Sequence, residues 1–319
     1  MRVVLGRVLC CCLGAVVACH HAPAPSVGTP ADGAGPAPQL TPGEGRWTSC
    51  GELECRQYES VEDAFADAIR GPKREGGRDG ALPGPRVVSI GEAHAQKGAR
   101  VASSASRFTS QLLPLLAPSP AAAPAGHASD LLIEILNPPP GCAKVTHDVR
   151  KKQEKVTAAQ APGDQSEYVT MGTRARALGI VPDLLRPTCA DLDAIEAAGE
   201  DAIDASLRTI ERLTQSQVVK LLERERGEDD IVVTYGGALH NALRPTPARA
   251  AWSFGPALDA YTKGRYVELD LYVPEFIDDT EAWRKLPFYA HYDRSKLGGK
   301  TTTFRDGKSV VLIFPASAM

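Results

Sequence analysis

The chain has 319 residues, 43% of them hydrophobic and 24% charged, with a formal net charge of −3. Those proportions belong to globular proteins, and a slight negative excess gives no electrostatic basis for holding nucleic acid. The length beyond the first 46 residues suits one sizeable α/β domain and falls short of two.

At the start, Arg2 and Arg7 supply a short positive region ahead of an apolar run from Val8 to Ala18 that carries no charge and is too short to cross a bilayer comfortably as a helix. It reads as a secretion signal. The run ends Val16, Val17, Ala18, Cys19, which resembles a bacterial lipobox. That resemblance implies that residues 1–19 are a lipoprotein signal, that Cys19 is lipidated and that acyl chains tether the protein to a membrane. An ordinary signal cut elsewhere, or a short signal anchor, is the competing reading. His20 stands where retained inner-membrane lipoproteins of this kind have aspartate, so the expected location is the cell envelope, outer membrane before inner. Residues 20–46 are rich in Ala, Pro and Gly, bury too little apolar area to offset ordering entropy, and read as a disordered linker. The folded part is then 47–319.

That part holds four cysteines, Cys50, Cys55, Cys142 and Cys189. In an oxidising compartment an even number of thiols points to disulfides, and local spacing favours Cys50 with Cys55 and Cys142 with Cys189. A four-thiolate zinc site competes, without the paired CxxC knuckles such sites use.

Ser60 opens a helix with Val61, Phe65, Ala68 and Ile69 on one side, and after a Gly/Pro-rich loop Arg86–Ile90 reads as the first strand, ended by Gly91. A helical rhythm over 100–116 leads to a second strand, Leu131–Leu136, apolar except for Glu134. Charged helices over 145–160 and 168–178 precede a third strand at 180–184. A long helical stretch, 191–225, breaks at Gly199 and leads to a fourth strand, Ile231–Tyr235, closed by Gly236 and Gly237. Tyr266–Val273 and Ser309–Phe314 add two more strands. Strands alternating with helical connections predict an α/β fold with a mainly parallel central sheet and helices on both faces.

Three strands carry residues at or near their carboxyl ends that a plain core would not choose: Glu92 and His94 after the first, Glu134 in the second, His240 past the fourth. Ligands of open parallel sheets bind outside those ends, so two carboxylates and two imidazoles are expected to share one cleft. Such a set suits either a divalent metal or acid–base chemistry on an ester or amide. The bland reading of each residue alone is a hydrogen-bonded core or capping group. Glu134 is the strongest single item, because a carboxylate in an apolar strand needs a partner.

The segment VVSIGEAH over 87–94, the strand glutamate Glu134 and VVTYGGALH over 232–240 together resemble the superfamily of ChaN-like haem-uptake lipoproteins, Tiki-type metalloproteases and erythromycin-esterase-like hydrolases. The resemblance covers roughly 61–314. It implies a site of Glu92, His94, Glu134 and His240, as catalytic groups and as ligands of a divalent metal ion, in a hydrolase acting on a small-molecule or peptide ligand. The alternative it implies is a haem-binding uptake lipoprotein, with Tyr289 and His291 as candidate haem ligands, although Tyr and His at that density also suit packing and surface positions.

Overall fold

The computed structural model describes residues 48–70, 84–118, 126–161, 164–224, 227 and 230–317. The expected signal, Cys19, the linker and Trp47 lie outside them. The strands are β1 (Thr48–Cys50), β2 (Leu53–Tyr58), β3 (Val87–Glu92), β4 (His127–Leu136), β5 (Val181–Leu185), β6 (Asp230–Gly237), β7 (Tyr266–Tyr272), β8 (Thr301–Asp306) and β9 (Ser309–Ile313). The helices are α1 (Val61–Arg70), α2 (Ser104–Arg107), α3 (Ala143–Thr157), α4 (Asp164–Ala177), α5 (Cys189–Ala197), α6 (Ala202–Leu222), α7 (Gly255–Tyr261) and α8 (Glu281–Arg284).

All nine strands form one sheet in the order β1-β2-β8-β9-β7-β3-β6-β4-β5. The fold is α/β, but the sheet is mixed and not mainly parallel, which corrects the expectation from sequence. The pairings from β9 through β7, β3, β6 and β4 to β5 are parallel, while β1 with β2, β2 with β8 and β8 with β9 are antiparallel. The antiparallel part is built from the three strands the pattern did not reveal.

Alternate side chains of each strand feed opposite faces, as a period of two requires. Val88 and Ile90 pack with Phe65 of α1, Phe108 and Leu112 beyond α2, and Tyr168 and Met171 of α4. Val87 and Val232 pack on the other face with Val218 and Leu221 of α6, and with Phe254 and Leu258 at α7. Each face buries a continuous apolar layer, and at roughly 25 cal/mol per Å² of apolar area this burial dominates the stability. A third cluster, around Tyr272, Trp283, Phe288 and Phe304, covers the antiparallel end.

The connection leaving β3 therefore packs on one face and the connection leaving its neighbour β6 on the other. Neighbouring connections that part to opposite faces open a crevice at the carboxyl ends of the strands between them. The same holds for β6 and β4. Glu92, Gly237 and Glu134 sit at these ends.

Both expected disulfides are present, Cys50–Cys55 with Cα atoms 5.9 Å apart and Cys142–Cys189 with Cα atoms 5.3 Å apart. The second ties the loop after β4 to the start of α5, inside a small apolar cluster with Val149, Leu192, Ile195 and Ala202.

Candidate functional site at the strand ends

Glu92 is the last residue of β3 and is only 4% exposed. Its carboxylate accepts hydrogen bonds from three groups: the Tyr168 hydroxyl at 2.7 Å and His94 Nδ1 at 3.0 Å on Oε1, and the Tyr235 hydroxyl at 2.6 Å on Oε2. Tyr168 comes from α4 and Tyr235 from β6, and their rings meet edge to face at 5.5 Å. Burial, then the neighbouring Glu92 charge, holds the Tyr168 hydroxyl well above its ordinary pKa, so it remains a donor.

Glu134 lies where β4 leaves its neighbour. Ile133 pairs with Leu184 and the next pair is Leu136 with Leu185, so Glu134 and Ile135 fall in a register irregularity. Bulges of this kind re-aim a side chain and occur next to active sites. Glu134 Oε2 accepts the Gly237 backbone N–H at 3.0 Å, and its Oε1 lies 3.7 Å from His240 Nε2. His240, 3% exposed, has Nδ1 2.8 Å from the Trp252 carbonyl oxygen. A carbonyl only accepts, so Nδ1 carries a proton, and Nε2 faces the Glu134 carboxylate.

The structure thus sorts the four residues into two Glu–His pairs. Glu92 with His94 and Glu134 with His240 adjoin at Gly237, where a Cβ would lie 3.6 Å from His94 Nε2. The turn after β6 ties them together, because Ala238 N–H donates to the Glu92 carbonyl at 3.0 Å. A pocket of about 10 Å³, room for one water, lies beside the second pair, lined by Glu134, His240, Gly236, Gly237, Thr214 and Asn241, with Leu132, Leu185 and Phe254 as its apolar wall. Glu92 and His94 border Gly237 from its other side and are not part of that lining, so the single shared cleft is divided.

Gly236 is required by this packing. A Cβ there would fall 2.8 Å from the Glu134 Cβ and closer still to its carboxylate. Gly236→Ala is expected to push Glu134 off the Gly237 amide and His240, at a stability cost of about 1–3 kcal/mol. Chemical denaturation measures it, and an unchanged midpoint would show that Glu134 is free to move aside.

The donor set does not fit the four-ligand metal centre that the resemblance implies. Both Glu92 oxygens are taken by hydroxyl and imidazole donors, and among the described residues no three His, Cys, Asp or Glu side chains are gathered to hold an ion. Tyr289 and His291 are held elsewhere. The Tyr289 hydroxyl donates to Asp279 at 3.0 Å, and His291 packs over Gly51 in the β1–β2 turn, where a Cβ would lie 2.7 Å from its Nε2.

The sequence reading passed over Tyr168, Tyr235 and Asp270. Asp270 on β7 pairs in register with Gly91, accepts from Asn241 Nδ2 at 2.8 Å and from the Tyr272 hydroxyl at 3.1 Å, and is 9% exposed. Burial, reinforced by Glu268, pushes its carboxyl up to about 8. The folded state therefore holds a proton that the unfolded chain releases near pH 4. Its contribution to stability is fully present below that pH and is lost as pH rises through about 8. Asp270→Asn is expected to flatten this decline and to raise Tm at pH 8.5 by about 5 °C or more. Thermal scans from pH 5 to 8.5 test it, and parallel curves for the two proteins would refute it.

No described helix is long and apolar enough to cross a membrane. No protein-family profile matches the chain, and no curated protein or solved structure shows significant similarity to it.

Proposed function

We propose that this protein is a cell-envelope hydrolase that cleaves an ester or amide bond in a small-molecule or peptide substrate bound over the strand ends around Gly237. The observation that carries the reading is the state of the two imidazoles. Each has its Nδ1 proton committed to an acceptor, Glu92 Oε1 for His94 and the Trp252 carbonyl for His240. His94 Nε2 lies beside Gly237 as the base, while His240 Nε2 faces the Glu134 carboxylate, the partner that would hold a proton there for the leaving group. A base whose orientation and tautomer are fixed by an outer acceptor is the arrangement that general-base catalysis uses.

On this reading His94 takes a proton from water attacking the carbonyl carbon. His240 with Glu134 carries the proton that goes to the leaving oxygen or nitrogen. The order of motifs, which resembles that of the esterase-like group, is in keeping with hydrolysis. Anchorage at Cys19, reached through the 20–46 linker, would place this chemistry at a membrane surface.

The test is turnover of a panel of chromogenic esters and amides by purified full-length protein in detergent micelles, with haemin titrated in parallel. Turnover with no change in the haemin Soret band is the expected result. A Soret shift with no turnover would favour haem uptake, a reading to which Tyr289 and His291, as placed, lend no support.

A further inference from the structure

A wider concavity lies between the middle of α6 and the turn Ala250–Trp252. It is an open groove of about 410 Å³ lined by Arg208, Thr209, Glu211, Arg212 and Ala251, a volume within the range of small-ligand sites. Trp252 ties this groove to the strand ends. Its carbonyl holds His240 Nδ1 at 2.8 Å, while its indole N–H donates to Asp204 of α6, also at 2.8 Å. Thr214, about one helical turn beyond Glu211, lines the small pocket beside Glu134 and His240. The groove and the second Glu–His pair are thus held by the same helix and the same turn.

Charge in the groove is unevenly satisfied. Arg208 Nε donates to Asp204 at 2.6 Å and Arg212 Nη2 donates to Asp191 at 2.6 Å, so both guanidiniums already have carboxylate partners. The Thr209 hydroxyl donates to the Ala205 carbonyl at 2.8 Å. Glu211 is the group left over. Its side chain is partly buried, and among the described residues no hydrogen bond or ion pair reaches its carboxylate. Burial holds that carboxyl above its ordinary range, with His240 and Arg212 acting against the shift from a distance. A carboxylate that has lost water without gaining a partner is repaid by a cation that pairs with it. An anion would instead meet Glu211 as a like charge and compete with Asp204 and Asp191 for the two arginines.

We infer that the groove between α6 and the Ala250–Trp252 turn is a binding subsite for a cationic group, an ammonium or a guanidinium, held by the Glu211 carboxylate. The alkyl stem that carries such a group can lie along Ala251 and Thr209, whose hydroxyl is already used, while the charged head meets Glu211. As a statement about substrate this rests on the proposed hydrolase and narrows it to esters or amides that bear a positive side chain or terminus. As a statement about binding it depends on the groove alone.

The experiment measures equilibrium binding of three probes to full-length protein in neutral-detergent micelles: the amides of Nα-acetyl-lysine, Nα-acetyl-norleucine and Nα-acetyl-glutamate. The lysine derivative is expected to bind about tenfold more tightly than its neutral norleucine counterpart, and the preference to shrink when salt is raised to about 0.5 M. Glu211→Gln should abolish the preference, and Glu211→Asp, which keeps the charge, should retain part of it. Equal affinities for lysine and norleucine in the parent, or a preference that survives in folded Glu211→Gln, would overturn the inference. Tightest binding of the glutamate derivative would give the groove to anions through Arg208 and Arg212 and overturn it equally. A lysine preference in binding with no turnover of any ester or amide would sustain the subsite and defeat the hydrolase. Turnover without that preference would do the reverse. Where both hold, the ratio of kcat/KM for a lysine ester over a norleucine ester should be about ten or more and fall toward one in Glu211→Gln.

Discussion

Replacing His94 with alanine is expected to reduce kcat on the best ester or amide substrate by a factor of about 10² to 10⁴, the range over which a single positioned base contributes. The effect should fall on turnover and spare folding. The imidazole is partly open, with its side chain 19% exposed, and it supplies one of three donors to Glu92, so the carboxylate keeps both tyrosine hydroxyls when the ring is gone. His240→Ala would be a poorer probe. That ring is almost fully buried, and its loss leaves the Trp252 carbonyl without its donor as well as an empty space. Glu134→Gln complements the experiment on the other pair, since the amide oxygen still accepts from Gly237 while the charge beside His240 disappears. Stopped assays at saturating substrate, with Tm measured on the same preparations, give the answer. Full activity in a folded His94→Ala protein would remove His94 from the mechanism.

The parallel half of the sheet was legible because its strands are fully covered. Runs such as Val87–Ile90 and Ile231–Tyr235 are buried on both faces and read as nearly continuous apolar segments, broken only by Ser89 and Thr234. The antiparallel half was not. β2 is Leu-Glu-Cys-Arg-Gln-Tyr with half of its residues open to some degree, and β8 is a threonine run ending in Phe-Arg-Asp. Buried threonines and Arg305 hide there behind polar names, held by pairing with β2 and β9 and by the Arg305 bond to the Asp67 carbonyl at 2.8 Å. Missing those strands made the sheet look mainly parallel.

Within the site, Glu92, His94, Glu134 and His240 stood out because each is polar where a strand ends. Tyr168 and Tyr235 did not, since a tyrosine in an amphipathic helix or an apolar strand is a normal core residue until its hydroxyl partner is seen. Asp270 is different. It sits in Tyr-Val-Glu-Leu-Asp-Leu-Tyr, and the argument that a carboxylate in an apolar strand needs a partner, applied to Glu134, applies to it equally. That signal was available from sequence. The division of the four residues into two pairs was not, because it depends on the irregular register at Glu134 and Ile135.

The same irregularity makes the Cys142–Cys189 bridge matter for function. β4 and β5 lose regular pairing after Ile133, so the ladder no longer fixes the stretch that carries Glu134, and beyond it one backbone bond, from Asn137 N–H to the Leu185 carbonyl at 2.8 Å, rejoins the two segments. The disulfide then clamps the loops that follow them. It joins residues 47 apart in sequence, and in the chain-entropy account a loop of that size stabilises the fold by about 4 kcal/mol. The double variant Cys142→Ser, Cys189→Ser is therefore expected to lose about that much and to melt about 10 °C lower. With the clamp gone, Glu134 should drift from His240 and turnover should fall about tenfold below the temperature of melting. The Cys50–Cys55 bridge supplies the control. It spans five residues at the far edge of the sheet, so Cys50→Ser, Cys55→Ser should cost about 2 kcal/mol and leave turnover intact. Denaturant titration and initial rates on both double variants decide the matter. Equal rates in the two would show that the Cys142–Cys189 bridge stabilises the domain without positioning Glu134, and free thiols at Cys142 and Cys189 in protein purified without reductant would remove the clamp altogether.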